Sequence, residues 1–110
     1  VAGYAYASLY RARLAYRYTL EDSIYVDPGA ARAGVGGALL AELIVACEAA
    51  GARQLVAVIG GSDNEASIRL HARNGFETVG VLRAVGWKHG RWLDSVLMQR
   101  ALGKASATPP

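Results

Sequence analysis

The feature that most constrains this chain is a helical stripe enclosed by strands. Leu39, Leu40, Leu43, Ile44 and Cys47 recur at three- and four-residue spacing, which puts them on one side of a helix over about residues 36–50. Gly51 is a natural stop, because helices commonly end on a residue in the left-handed conformation. An unbroken apolar run follows, Leu55-Val56-Ala57-Val58-Ile59, the pattern of a strand covered on both faces. Before the helix, residues 16–26 are rich in Tyr, Thr, Ile and Val, with Glu21-Asp22 expected as a bulge or kink. Asp27-Pro28-Gly29 ends that segment. Strand, helix, strand in this order implies parallel neighbours joined by a right-handed crossover.

The rest of the chain extends that unit. Tyr4, Tyr6, Ser8 and Tyr10 alternate with Ala5, Ala7 and Leu9, as in a strand, and residues 11–15 read as a turn. After the apolar run, Gly60-Gly61-Ser62 forms a loop. Asp63 or Asn64 then caps a second helix that reaches about Asn74 and stops at Gly75. Residues 76–83 and 91–100 are two more strands, and their link carries Gly86, Trp87, Lys88, His89 and Gly90. The expected order is β-β-α-β-α-β-β, an α/β (α+β) domain over residues 1–102. Its sheet is mixed, with antiparallel edges and helices on its faces. Residues 103–110 have the composition of a loose tail.

Composition narrows the class. A chain of 110 residues, 53% of them hydrophobic, makes one globular domain. No apolar run approaches the roughly 20 residues of a membrane helix, and the first ten residues lack the basic start of a signal peptide. The expectation is a cytoplasmic protein with no membrane partner. The single Cys47 has no partner for an internal disulfide. The net charge is +3, carried almost wholly by Arg, since Lys88 and Lys104 are the only lysines. Those Arg are scattered rather than clustered, which argues against a nucleic-acid surface. No metal is expected.

The junction between the 16–26 strand and the first helix holds the chemistry. Gly34, Gly36 and Gly37 lie in it. A glycine-rich strand-to-helix turn presents backbone N–H groups at the positive end of a helix, with no Cβ to keep an anion away. A P-loop would need Lys and Ser/Thr after its last glycine, where this chain has Gly37 and Ala38. A dinucleotide turn would need Gly or Ala where Leu39 stands. A plain tight turn remains an alternative on these residues alone.

The segment Ala31-Arg32-Ala33-Gly34-Val35-Gly36 resembles the acetyl-CoA turn of the GCN5-related N-acetyltransferases (GNAT), Q/R-x-x-G-x-G/A. It departs at the first position, where Ala31 stands and Arg32 follows. One helix and one strand later, the residues from Asn64 through Ser67 and His71 to Gly75-Phe76 resemble the second GNAT motif, N-x-x-A/S-x-x-x-Y-x-x-x-G-F. Further segments resemble the phosphinothricin and methionine-sulfoximine acetyltransferase branch. They are Arg13-Leu14-Ala15-Tyr16, Tyr18-Thr19-Leu20-Glu21-Asp22-Ser23-Ile24-Tyr25-Val26 and Gly86-Trp87-Lys88-His89-Gly90-Arg91-Trp92.

The resemblance implies the GNAT acyl-CoA N-acyltransferase fold. It also implies acetyl transfer from acetyl-CoA, as co-substrate, to the α-amine of a small amino-acid analogue, in a homodimer. Glu21 matches the family's general base. Alternation along a strand sends Glu21 and its rival Asp22 to opposite faces. His71 stands where many members have Tyr, to protonate the sulfur or to relay the amine proton. Arg32, Ala33, Gly34, Val35, Gly36 and Gly37 would cradle the pyrophosphate. Asn64 and Ser67 would bond the pantetheine, and Ile24, Tyr25 and Val26 would offer it a strand edge. Arg13 and Tyr16 would meet the substrate's carboxylate. Trp87, Lys88 and Trp92 would wall the pocket, form a dimer contact or simply pack at the sheet edge.

Against a complete domain of that family, the resemblance implies a chain that starts at the third strand, at Val1 rather than Met, without the helices of the acceptor side. The alternatives to an enzyme are a CoA-binding module without turnover and, more distantly, a nucleic-acid-binding domain.

Overall fold

The computed structural model describes residues 2–27, 29, 34–61 and 64–110. Five strands, β1 (Gly3–Leu9), β2 (Thr19–Val26), β3 (Gln54–Gly60), β4 (Glu77–Lys88) and β5 (Arg91–Ala101), form one sheet in the order β1-β2-β3-β5-β4. Helix α1 (Val35–Ala49) joins β2 to β3, and α2 (Glu65–Arg73) joins β3 to β4. The β2–β3 pair is parallel and the other three pairs are antiparallel. The expected order of elements therefore holds, with a short 3-10 turn at Leu14–Tyr16 added between β1 and β2.

Both helices end by the same device. Gly51 and Gly75 take positive φ, 93° and 88°, as the residue after the cap of a Schellman motif requires. In α1, Gly51 N donates to Glu48 O and Ala52 N to Cys47 O. In α2, Gly75 N donates to Ala72 O and Phe76 N to His71 O. The second closure carries Phe76 into the core, where its ring meets His71 edge-on at 4.9 Å. The Gly75-Phe76 pair of the motif is thus a helix stop that packs an aromatic ring beneath His71.

Three expectations are corrected. The acidic pair Glu21-Asp22 makes no bulge, because β1 and β2 stay in register through Ser8↔Glu21 and Ala7↔Asp22. The helices do not cover both faces of the sheet. Leu40, Ile44 and Cys47 of α1 share one core with Leu55, Ala57 and Ile59 of β3, and Ile68 and Leu70 of α2 pack against the same core. Consequently β3 is covered on one side only, and Val58 remains 44% exposed. On the open face Tyr4 stacks on Tyr25 at 5.3 Å and on Tyr6 at 6.4 Å, while Tyr4 and Tyr6 stay 53% and 54% exposed.

The third correction concerns β4, which runs on to Lys88 instead of ending near Arg83. Residues 83–85 stand opposite Asp94 alone, since Leu82 pairs with Ser95 and Gly86 with Leu93. The Asp94 carboxylate accepts the Ala84 N–H at 2.9 Å, and Ala84 takes a φ of 53°. The strand resumes after this bulge, and His89-Gly90, both at positive φ, make the two-residue hairpin turn.

Residues 103–110 form no helix or strand, yet hydrogen bonds hold them. The Arg53 guanidinium donates to Ala105 O, Thr108 O, Thr108 Oγ1 and Pro109 O at 2.7–3.3 Å, and Gly103 N donates to Glu48 Oε1.

Candidate active site

A split between two strands makes the site. β2 and β3 pair only through Thr19↔Gln54, Leu20↔Leu55 and Glu21↔Val56, although β2 continues to Val26 and β3 to Gly60. Beyond Glu21 the strands part. Among the described residues that leaves the β3-facing edge of residues 22–26 without a strand partner and opens a wedge in the sheet. Backbone N–H and C=O groups on such an edge seek an added partner.

Two connected cavities occupy the wedge and its mouth. The larger, about 700 Å³, is lined by Ile24 and Val26 of β2, by Gly34, Gly36 and Gly37 at the start of α1, and by Arg69 and Arg73 of α2, among others. The smaller, about 290 Å³, is lined by Glu21, Asp22, Val58, Gly60 and His71, among others. Ile24, Asn64 and Ser67 border both. A continuous groove thus leads from the N-terminus of α1 to Glu21.

The start of α1 is open to anions. Gly34 is its cap, at φ 75°, a left-handed conformation that glycine adopts without a steric penalty. It brings no side chain to the first turn, and no acidic residue lies there. The first N–H groups of a helix have no acceptor within it, so those at Val35 to Gly37 are available to a ligand. A Cβ at Gly36 would meet Leu70 Cδ2 at 3.2 Å and Val26 Cγ2 at 3.4 Å. Glycine at this position therefore lets α1 lie close to β2 and α2. Arg32 and Ala33, assigned to the same cradle, and Asp63, a candidate helix cap, lie outside the described residues.

On α2, Asn64 takes the cap position without a side-chain cap bond. Ser67 uses its carbonyl, which accepts His71 Nδ1–H at 2.8 Å. The other ring nitrogen, Nε2, lies 3.0 Å and 3.2 Å from the Asp22 carboxylate oxygens. This pair is buried, at 3% exposure for His71 and 7% for Asp22. Burial by itself pushes the His71 pKa down. The hydrogen bond and charge of Asp22, with the Ser67 carbonyl, outweigh it and raise the group above its ordinary 6.5. Close by on α1, burial pushes the Cys47 thiol up and the Asp22 charge pushes it further.

The expected residues do not all converge. Glu21 and His71 line one cavity, with Glu21 on the open-face side of β2, registered with Ser8 and Val56. Tyr25 turns its ring to the open face against Tyr4, so only its backbone can serve the groove. Arg13 and Tyr16 line neither cavity. They sit on the exposed turn between β1 and β2, closed by Tyr10 N–H to Thr19 O, at the strand end near Glu21. Trp87 and Trp92 are a cross-strand pair, edge to face at 5.0 Å and largely exposed. The sequence reading missed Arg69 and Arg73. Their i,i+4 spacing after Asn64 places both on one side of α2, and that spacing was the available signal. It also missed Asp22 as the partner of His71.

The family model described as "Acetyltransferase (GNAT) family" matches residues 1–76. The chain belongs to the GNAT acetyltransferase family. The GNAT fold is matched across the chain by the crystal structure of a GNAT superfamily phosphinothricin acetyltransferase from Sinorhizobium meliloti in complex with acetyl-CoA. The TM-score is 0.96 and the identity 55%, over 100% of this chain and 59% of that one. Phosphinothricin N-acetyltransferase of Alcaligenes faecalis is 56% identical over 108 residues, 98% of this chain and 55% of the relative. L-methionine sulfoximine/L-methionine sulfone acetyltransferase of Salmonella typhimurium is 42% identical over 107 residues, 97% of this chain and 62% of the relative. This GNAT chain spans just over half the length of the curated relatives it matches.

Proposed function

We propose that this chain carries the donor half of an N-acetyltransferase that moves an acetyl group from acetyl-CoA to the α-amine of a small amino-acid analogue of the phosphinothricin or methionine-sulfoximine type. The observation that carries the reading is the parting of β2 from β3 after Glu21. It yields an unpaired strand edge along a groove that begins at a helix N-terminus with no side-chain cap and ends beside a carboxylate. A ligand with a phosphate at one end, an amide-bearing arm and a reactive acyl group at the other suits such a groove. The N–H groups of Val35 to Gly37 hold the pyrophosphate, with Arg69 and Arg73 beside it, and the family resemblance assigns Arg32 and Ala33 to the same cradle. The edge of Ile24, Tyr25 and Val26 takes the arm as an added strand, and Asn64 and Ser67 flank it. A free backbone N–H of that edge stabilises the oxyanion of the tetrahedral intermediate.

Glu21 removes a proton from the incoming ammonium so that a neutral amine attacks the thioester carbon. His71 stands at the sulfur end. Arg13 and Tyr16, on the turn near Glu21, receive the acceptor's carboxylate, for which a guanidinium has bidentate geometry. A second copy of the chain, meeting this one through the Trp87–Trp92 hairpin in the cytoplasm, completes the proposed assembly.

A second reading, acetyl-CoA binding without turnover, is favoured by the uncovered face on which Glu21 stands. Calorimetric titration with acetyl-CoA should give a single-site isotherm, and its absence at millimolar cofactor would end both readings. Release of free thiol in the presence of methionine sulfoximine then separates them. Glu21→Gln should lower kcat by about 100-fold or more, the usual weight of a positioned base, while acetyl-CoA affinity holds. Full activity in that variant would remove Glu21 as the base.

A further inference from the structure

We propose that the acceptor's side chain lies on the open face of the sheet, over Val58 and Leu97, and ends at the Gly60–Ser95 pair. There the missing Cβ of Gly60 gives it room, and the Ser95 hydroxyl bonds the oxygen at its polar end. The inference rests on the acetyl-transfer reading of the site. It adds two specificity-determining residues and a direction for the acceptor in the cleft.

Alternation along β3 and β5 sets which side chains share this face. Leu55, Ala57 and Ile59 of β3, with Val96 and Met98 of β5, enter the core beneath the helices. Val56, Val58 and Gly60, with Ser95, Leu97 and Gln99, therefore turn the other way. The two strands pair Val56 with Gln99, Val58 with Leu97 and Gly60 with Ser95. Those rows are about 7 Å apart, two residues of strand. Glu21 stands in the first row, registered with Val56. Glu21, Val58 and Gly60 line the same cavity, the smaller one.

The rows differ in what they offer. Exposed Val58 and half-buried Leu97 give an apolar floor. At Gly60 a Cβ would meet no described atom within 4 Å, so the space beside it is open. Directly opposite residues of an antiparallel pair bring their Cβ positions within about 5 Å. With no Cβ on Gly60, that space leads to Ser95. The Ser95 hydroxyl makes no hydrogen bond among the described residues, and a hydroxyl can both donate and accept.

The acceptor's direction follows from the two ends of β2. Its α-amine lies at Glu21. Its carboxylate goes toward Arg13 and Tyr16, on the turn that precedes β2. Its side chain then points the other way, along β3 toward Gly60. The fit is to a short run of methylenes with an oxygen-bearing end, the chemistry of a sulfoximine, a sulfone or a phosphinate. The methylenes lie on Val58 and Leu97, where burial of apolar surface holds them. The terminal oxygen accepts from the Ser95 hydroxyl. A side chain of equal length without that oxygen loses only the Ser95 bond, whereas a side chain added at Gly60 closes the end of the path.

The test loads the full chain with CoA, so that no turnover intervenes. It is then titrated calorimetrically with methionine sulfoximine and with methionine, the same skeleton without oxygen on sulfur. The wild type should bind methionine sulfoximine more tightly. Ser95→Ala should weaken methionine sulfoximine about three- to tenfold, the fold-change of one hydrogen bond, and leave methionine unchanged. Gly60→Val should weaken both by about tenfold or more, as extra bulk in a fitted pocket does. CoA affinity should hold in that variant, and so should the melting temperature, since the new side chain meets open space. Full binding of methionine sulfoximine by Gly60→Val, or equal losses for the two ligands in Ser95→Ala, would overturn the proposal. A wild type that binds CoA but shows no preference between the two ligands would also overturn it. Those outcomes leave the acetyl-transfer reading standing wherever thiol release persists. Failure of the wild type to bind CoA would strike that reading itself, and this inference with it.

Discussion

Glu21 and Asp22 are neighbours with opposite environments, and period two along a strand is the reason. Glu21 stands on the open face beside Ser8 and Val56. Asp22 goes under α2 and binds His71. Their opposition was legible in the sequence, but Asp22's partner was not, because His71 is 49 positions away. The pair also links stability to pH. The folded pKa of His71 lies above its ordinary 6.5, so folding takes up a proton there. That contribution is present in full below pH 6.5 and is lost as pH rises through the folded pKa. Denaturant unfolding should therefore show wild-type stability declining on the alkaline side of 6.5, and Asp22→Asn should flatten that decline. Asp22→Ala, which strands the buried ring, should cost about 3 kcal/mol or more in the same measurement.

At the scale of elements, helix bounds were set by local chemistry and were readable. Gly51 and Gly75 stop α1 and α2 where the sequence placed the stops, because only a residue tolerant of positive φ closes those turns. Strand bounds were less so. β4 extends past Arg83 because the Asp94 carboxylate, from the neighbouring strand, supports the bulge. The N-terminus of α1 gives a test in which binding and stability move in opposite directions. A Cβ at Gly37 meets only Leu70 Cδ1, at an ordinary 3.9 Å, so Gly37→Asp should fold. An acidic residue in a first helical turn contributes about 0.3–1 kcal/mol, so the melting temperature should hold or rise. Acetyl-CoA affinity, read by calorimetry, should fall, because the carboxylate occupies the place meant for a phosphate. Unchanged affinity would move the phosphate site away from this turn.

At the scale of the whole molecule, the described residues form one sheet with two helices on a single face. The apolar run at 55–59 suggested cover on both sides, since periodicity cannot tell a half-covered strand of β-branched residues from a fully covered one. The consequence is an asymmetric response to mutation. Leu55 is fully buried between sheet and helices, and Leu55→Ala should cost about 2–5 kcal/mol in denaturant unfolding. Tyr6, on the open face and in contact with Tyr4, should lose no more than about 1 kcal/mol as Tyr6→Ser. Similar losses at both positions would mean that the open face is covered in solution.

By itself the sequence determined the order of elements, the stops of the helices, the glycine turn at Gly34 to Gly37 and the two motifs that carry the family. Each of these is a matter of side-chain period or of backbone conformation within a few residues. Tertiary structure alone decided that both helices share a face, that β2 leaves β3 after Glu21, and that Asp22 reaches His71. Those are relations between segments far apart in the chain, fixed by which apolar surfaces bury together and by which buried charge must find a partner.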